Sequence, residues 1–187
     1  MTMRSRILKW LLLPAVFIAT TRSASAVVPV EMQLALFTKI WRLDRNFDSA
    51  GVVTMVIVYQ AGYRESLLVK DDFIATVERL KLPIRCIPLE AGSSELLRKG
   101  LSEIRGAVVY VTPLRSVDVA EIARISRERG LRTMTGVPEY VEQGIAVGIG
   151  ERKDRPLIII NLLGARAEGS DFSSQLLGLA RIVGPLS

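Results

Sequence analysis

The chain has 187 residues, 25 lysines and arginines against 19 aspartates and glutamates, a formal net charge of +6, and no histidine. Without imidazole, Ser-His-Asp and Cys-His catalysis and the ordinary His-rich zinc sites are excluded, because each uses that ring as base or ligand. Its single cysteine, Cys86, leaves no disulfide to be made within the chain.

The N-terminus has a basic start (Arg4, Arg6, Lys9), an apolar run over residues 10–19, and the small-x-small pattern Ala24-Ser25-Ala26. This predicts a cleaved secretory signal over residues 1–26 and a mature domain over 27–187 in the periplasm. The apolar run is about half the ~20 residues of a membrane span, and Pro14 interrupts it, so no stable membrane insertion is expected. Cleavage would leave 161 residues, the size of one domain with a real core. It would also remove Arg4, Arg6, Lys9 and Arg22, reducing 25 basic residues to 21 against 19 acidic ones. That near balance argues against nucleic acid as a partner.

In the mature region, Val30, Leu34, Phe37 and Trp41 form one stripe of a helix over residues 30–43. Residues 52–59 read as a β-branched strand. Asp71 is expected to cap a helix carrying Phe73, Val77 and Leu80, and Pro83 to stop it. A second strand follows at 84–89. Ser93 or Ser94 then caps a helix bearing Leu97, Leu101 and Ile104, which Gly106 ends. Residues 107–112 give a third strand, Ser116 the cap of the next helix, and Gly130 its left-handed close.

Residues 131–135 read as a short fourth strand and 138–141 as one helical turn. The stretch 144–150 reads as a glycine-weakened strand toward an edge. A charged hairpin tip at 151–155 leads into 157–163, a continuous apolar run that reads as a strand buried on both faces. Phe172, Leu176, Leu179 and Val183 recur at helical spacing, and Gly184-Pro185 ends that helix.

Three strand–helix alternations followed by a hairpin predict an α/β fold: a mixed, mostly parallel sheet covered by helices in one Rossmann-like layered domain. In such sheets ligands sit at the carboxyl ends of the parallel strands, here Tyr59-Gln60, Glu90, Thr112-Pro113 and Thr135-Gly136.

The chemistry-bearing residues are few. Gly144, Gly148 and Gly150 fall within one strand pattern and do not open a helix, so they make no dinucleotide fingerprint. Asp71-Asp72 reads as helix capping, Asp44-Arg45 as an ion pair at a helix end, and Cys86 as a buried structural thiol. Trp41 with Phe37 reads as core, with an exposed recognition patch as the other reading. Asn161, polar within an apolar strand, either ties a neighbouring loop or faces a ligand.

One resemblance spans nearly the whole mature chain. It is carried by Gln143-Gly144, Ile160-Asn161-Leu162, Ala165-Arg166-Ala167, Gly169 and Phe172-Ser173-Ser174-Gln175-Leu176-Leu177 with Leu179-Ala180. Leu131 to Gly136 and Phe37 to Phe47, with Trp41 and the Asp44-Arg45-Asn46 run, carry it further. In these residues the chain resembles the YfiR/HmsC-like family of small periplasmic proteins. The resemblance implies a non-enzymatic regulator, dimeric in its best-known members, that binds an inner-membrane sensor protein of the diguanylate cyclase or kinase type and so controls cyclic-di-GMP and biofilm output.

Two expectations follow. The first is that regulator, a homodimer by resemblance, contacting its membrane partner through an exposed apolar or aromatic patch for which Tyr59, Tyr63, Tyr110 and Tyr140 are candidates, with Trp41 as a further partner candidate. The alternative is a periplasmic small-solute-binding module with the ligand near Thr112, Thr135 and Asn161. Neither invokes catalysis, a cofactor or a metal.

Overall fold

The computed structural model describes residues 28–48, 50–115 and 117–184. Its elements are α1 (Val30–Arg42), β1 (Val53–Tyr59), α2 (Arg64–Arg79), β2 (Ile84–Glu90), α3 (Ser94–Ser102), β3 (Val108–Val111) and α4 (Val119–Arg129). They continue with β4 (Arg132–Thr135), α5 (Glu139–Glu142), β5 (Val147–Arg152), β6 (Arg155–Asn161), α6 (Leu162–Ala167), α7 (Ser174–Leu179) and β7 (Arg181–Val183). The expected leader, the Ser116 cap and Pro185 lie outside the described residues.

Seven strands form one sheet in the order β2-β1-β3-β4-β5-β6-β7. Every pairing is parallel except the β5–β6 hairpin, so the sheet is mixed and mostly parallel as the alternation predicts. Successive side chains of a strand point to opposite faces, and β1 and β3 divide cleanly on that rule. Met55, Ile57, Val108 and Tyr110 meet α1 and α2 on one face. Val56, Val58, Val109 and Val111 meet α3 and α4 on the other. Helices on both faces bury β3 completely and β1 except at Thr54 and Tyr59, which is why both read as largely apolar runs. The chain leaves β1 in opposite directions along the sheet to reach β2 and β3, so the topological switch lies between β1 and β3.

Several sequence expectations are corrected. Residues 144–150 contribute to an interior strand, β5, flanked by β4 and β6. Its glycines serve close packing: a Cβ on Gly148 would lie 2.4 Å from Val141 Cγ2, and one on Gly150 would lie 2.8 Å from Pro138 Cγ. The next strand ends at Asn161, and Leu162 and Leu163 open α6 instead of extending it. The expected helix through Val183 stops at Leu179, where Ala180 turns extended and Arg181 to Val183 pair with β6. A β-branched pair, Ile182-Val183, beside an open sheet edge favours the strand.

Asp71 lies inside α2, which begins seven residues earlier without a side-chain cap, and forms an ion pair with Lys70. The start of α2 is instead tied to the sheet, the Ser66 hydroxyl lying 2.7 Å from that of Thr112. Asp118 caps α4, its Oδ1 accepting from the Ala120 and Glu121 amides. Ser102 closes α3 ahead of Gly106. Asp44 and Arg45 do not pair with each other: Asp44 accepts from Arg132 Nε at 3.1 Å, and Arg45 donates to Asp171 at 2.9 Å. Both contacts join the end of α1 to residues far along the chain.

Glu168, following α6, is buried against β4. Its carboxyl accepts from the Thr133 amide at 2.8 Å and from the Thr133 hydroxyl at 2.6 Å, and that hydroxyl in turn accepts from the Ala146 amide. The group thus bridges β4 and the approach to β5, where few ladder pairs exist. Burial pushes the Glu168 carboxyl up to about 8, against lowering by the Thr133 hydrogen bonds and by Arg127 and Arg132. The folded protein therefore holds a proton that the unfolded chain releases. Stability from this group is complete near pH 4 and is lost as pH rises through about 8, at no more than about 1.4 kcal/mol per pH unit. Chemical denaturation from pH 5 to 8 is expected to show that decline in the parent protein. Glu168→Gln, which keeps a neutral group of the same shape, is expected to flatten the profile and to be the more stable of the two at pH 8.

Candidate functional site

A cavity of about 300 Å³ opens at the carboxyl ends of the central strands. Three layers build it. The ends of β3, β4 and β5 contribute Tyr110 with Pro113, Gly136, and Gly150 with Glu151. The first turns of α2 bring Tyr63, Glu65 and Val69, and α5 brings Glu139 and Tyr140. Val28, Val30 and Gln33 close the remaining side, so the chain's entry into the domain forms a wall.

The floor is one hydrogen-bonded chain. The Tyr110 phenol donates to Gln33 Oε1 at 2.9 Å, and Gln33 Nε2 donates to the Val28 carbonyl at 2.7 Å. Both side chains are buried, so each polar atom needs such a partner. The Tyr110 ring packs on Phe73 at 4.2 Å between centroids and meets Phe37 edge-on at 6.0 Å, which holds the phenol in place. Burial pushes the Tyr110 phenol well above its ordinary range, so it is a neutral donor. The Tyr140 hydroxyl accepts from the Leu114 amide at 2.8 Å and donates to the Leu114 carbonyl at 3.2 Å, pinning the β3–α4 loop at the rim. Burial raises this phenol too. At the mouth, Tyr63 donates to Glu65, and the Arg115 guanidinium lies 4.5 Å above the Tyr63 ring. The hydrogen bond to Glu65 is the main reason the Tyr63 phenol is raised.

The candidate residues named from sequence occupy different places. Thr112 is fully buried, its hydroxyl bonded to the Val58 carbonyl and to Ser66. Thr135 is fully buried, donating to the Val111 carbonyl and accepting from the Val137 amide. Each hydroxyl secures a strand end, and the next residue in each case, Pro113 or Gly136, lines the cavity. Asn161 lies elsewhere. Its Oδ1 caps α6 through the Gly164 amide, and its Nδ2 donates to the Val141 carbonyl, so it is a loop tie. Trp41 is buried against Phe47 at 5.7 Å, with its indole N–H unpartnered. The structure therefore brings none of the four side chains to the cavity.

Of the tyrosines named for a partner-binding patch, Tyr63, Tyr110 and Tyr140 line the cavity, and Gln33 is a wall residue that the sequence analysis does not name. A glutamine amid the apolar positions of an amphipathic helix is the signal that marks Gln33. Cys86, half-buried on the edge strand β2, has its thiol pushed up to about 11 by burial, with a further contribution from Glu78, and is no reactive centre. No helix among the described residues is long and apolar enough to cross a membrane.

No family model matches the chain, and no curated protein does either. Solved structures do. A ligand-free, open substrate-binding protein with adhesive properties from Clostridium difficile matches at TM-score 0.63 and 18% identity, over 84% of this chain and 60% of that one. An ABC domain from Streptococcus pneumoniae in complex with L-Trp matches at TM-score 0.64 and 12% identity, over 83% and 62%. A conserved domain protein from Vibrio cholerae matches at TM-score 0.62 and 13% identity, over 82% and 60%. The chain thus shares an α/β fold with these three proteins and spans about 60% of the length of each. At these identities the likeness is one of fold.

A Cβ on Gly136 would fall 2.5 Å from Gln33 Oε1 and 2.7 Å from its Nε2. Gly136→Ala is therefore expected to expel the Gln33 amide, leave the Tyr110 phenol without its acceptor, and destabilise the protein by about 1–3 kcal/mol. In a Gln33→Ala background, where the space is cleared, the same substitution should lose less. A double-mutant cycle by urea denaturation measures the difference.

Proposed function

We propose that this chain is an extracytoplasmic module that captures a small solute in the cavity at the carboxyl ends of β3, β4 and β5. The observation that carries the reading is the cavity itself, about 300 Å³ beside the topological switch and walled by three tyrosines among apolar side chains. Sites of this kind are concave, mostly apolar, and furnished with a few fixed polar groups. The volume suits a small metabolite. The fold shared with a substrate-binding protein and with an ABC domain in complex with L-Trp supports the reading as analogy, since fold alone does not assign function. Export is supported by the basic, apolar and small-residue pattern of residues 1–26. The proposal includes no bond chemistry: among the described residues the titratable groups lining the cavity are three carboxylates and three phenols, with no nucleophile set beside a base.

The other reading is a regulator of an inner-membrane cyclase or kinase, and it rests on the YfiR/HmsC-like residues. Asn161 caps α6, Ser173 caps α7, and Phe172 and Leu176 are core. Those residues have structural work that accounts for them, so they speak for a shared fold more than for a shared partner. Solute capture is the better-supported reading.

A thermal-shift screen against periplasmic metabolites tests it. A ligand held at ~100 times its Kd adds about 2.7 kcal/mol, which raises Tm by roughly 5–10 °C for a domain of this size. Val137→Trp, at the cavity wall, is expected to abolish the shift while the protein remains folded. No shift with any compound sinks the proposal.

A further inference from the structure

We infer that the cavity takes an organic cation: an amine or guanidinium head on a short apolar body. The inference rests on the solute-capture reading and names the chemical class of that solute.

Charge at the cavity runs against the charge of the chain. The expected mature chain carries 21 basic and 19 acidic residues, yet among the described residues Glu65, Glu139 and Glu151 line the cavity and no lysine or arginine does. Three carboxylates around one concavity with apolar walls focus a negative potential into it. The remaining wall is aromatic and aliphatic, with Tyr63, Tyr140, Leu114 and Val69 supplying surface for an apolar body. Phenol faces are themselves attractive to cations. Gln33 and Tyr110, the most buried polar side chains of the wall, bond to each other and to Val28, so they give the ligand a fixed floor and little charge.

The mouth already contains a cation at such a position. The Arg115 guanidinium sits 4.5 Å over the Tyr63 ring, beside the phenol bonded to Glu65. Its backbone amide is held separately, donating to Gln60 Oε1 at 2.8 Å, so the side chain is free to leave without unfastening the loop. Arg115 is exposed and occupies the aromatic and acidic surface that an incoming cation would use. A ligand cation and the Arg115 side chain therefore compete.

That competition gives the test its sign. Calorimetric titration of the protein with phenethylamine, 2-phenylethanol and phenylacetate compares positive, neutral and negative heads on closely similar bodies. The amine is expected to bind about tenfold more tightly than either of the others. Arg115→Ala is expected to tighten the amine a few-fold, and Glu139→Gln with Glu151→Gln to lower the amine-to-alcohol affinity ratio about tenfold. If phenylacetate or the alcohol binds more tightly than the amine and Val137→Trp abolishes that binding, solute capture stands and the cation assignment falls. An Arg115→Ala variant that binds the amine more weakly also overturns the assignment. If none of the three probes binds and the metabolite screen yields no shift, both readings fall together.

Discussion

The Gln33 amide is the contact on which the arrangement of the cavity depends. An amide buried without partners is destabilising by a few kcal/mol, so its two ends must find an acceptor and a donor wherever α1 crosses the sheet. It finds them in the Val28 carbonyl and the Tyr110 phenol. That single requirement fixes the entering segment against the central strand and sets the register of α1 over β3. It also leaves no room for a side chain at position 136, which is glycine. Wall, floor and strand end are thereby positioned by one polar group.

A second polar device works at the other end of the sheet. Glu168 and Thr133 join β4 to the approach to β5, where the ladder is short, and Asp44 joins the end of α1 to Arg132 and to the Asp171 amide. These buried acceptors replace backbone pairing that the short strands cannot supply. The Glu168–Thr133 contact thus reinforces the parallel β4–β5 pair, which has only two ladder positions. The hairpin tip turns through Lys153 and Asp154, both at positive φ, which suits the twist of a tight antiparallel connection.

The buried threonines show how a functional reading slips by one residue. A hydroxyl at the end of a parallel strand reads as a ligand donor, because ligands sit at such ends. A hydroxyl there can also fasten one strand end to its neighbour. Thr112 and Thr135 do so by donating to the Val58 and Val111 carbonyls. The following residues, Pro113 and Gly136, line the cavity where the chain leaves each strand.

Periodicity and turn chemistry alone specified the fold class, the near bounds of β1 and α1, the left-handed close at Gly130, the charged hairpin tip, and the strand edge where the cavity lies. These are local matters, settled by side-chain spacing and by residues whose backbone preferences act within a few positions. Tertiary structure decided the rest. The end of β6 at Asn161, the recruitment of Arg181 to Val183 into a strand, and the interior place of β5 depend on which neighbours an edge meets. The cavity drew Gln33, Tyr63, Glu65, Glu139 and Glu151 from separate helices and a strand that share no local pattern. No window of sequence contains them together, because only packing on a common sheet edge makes them neighbours.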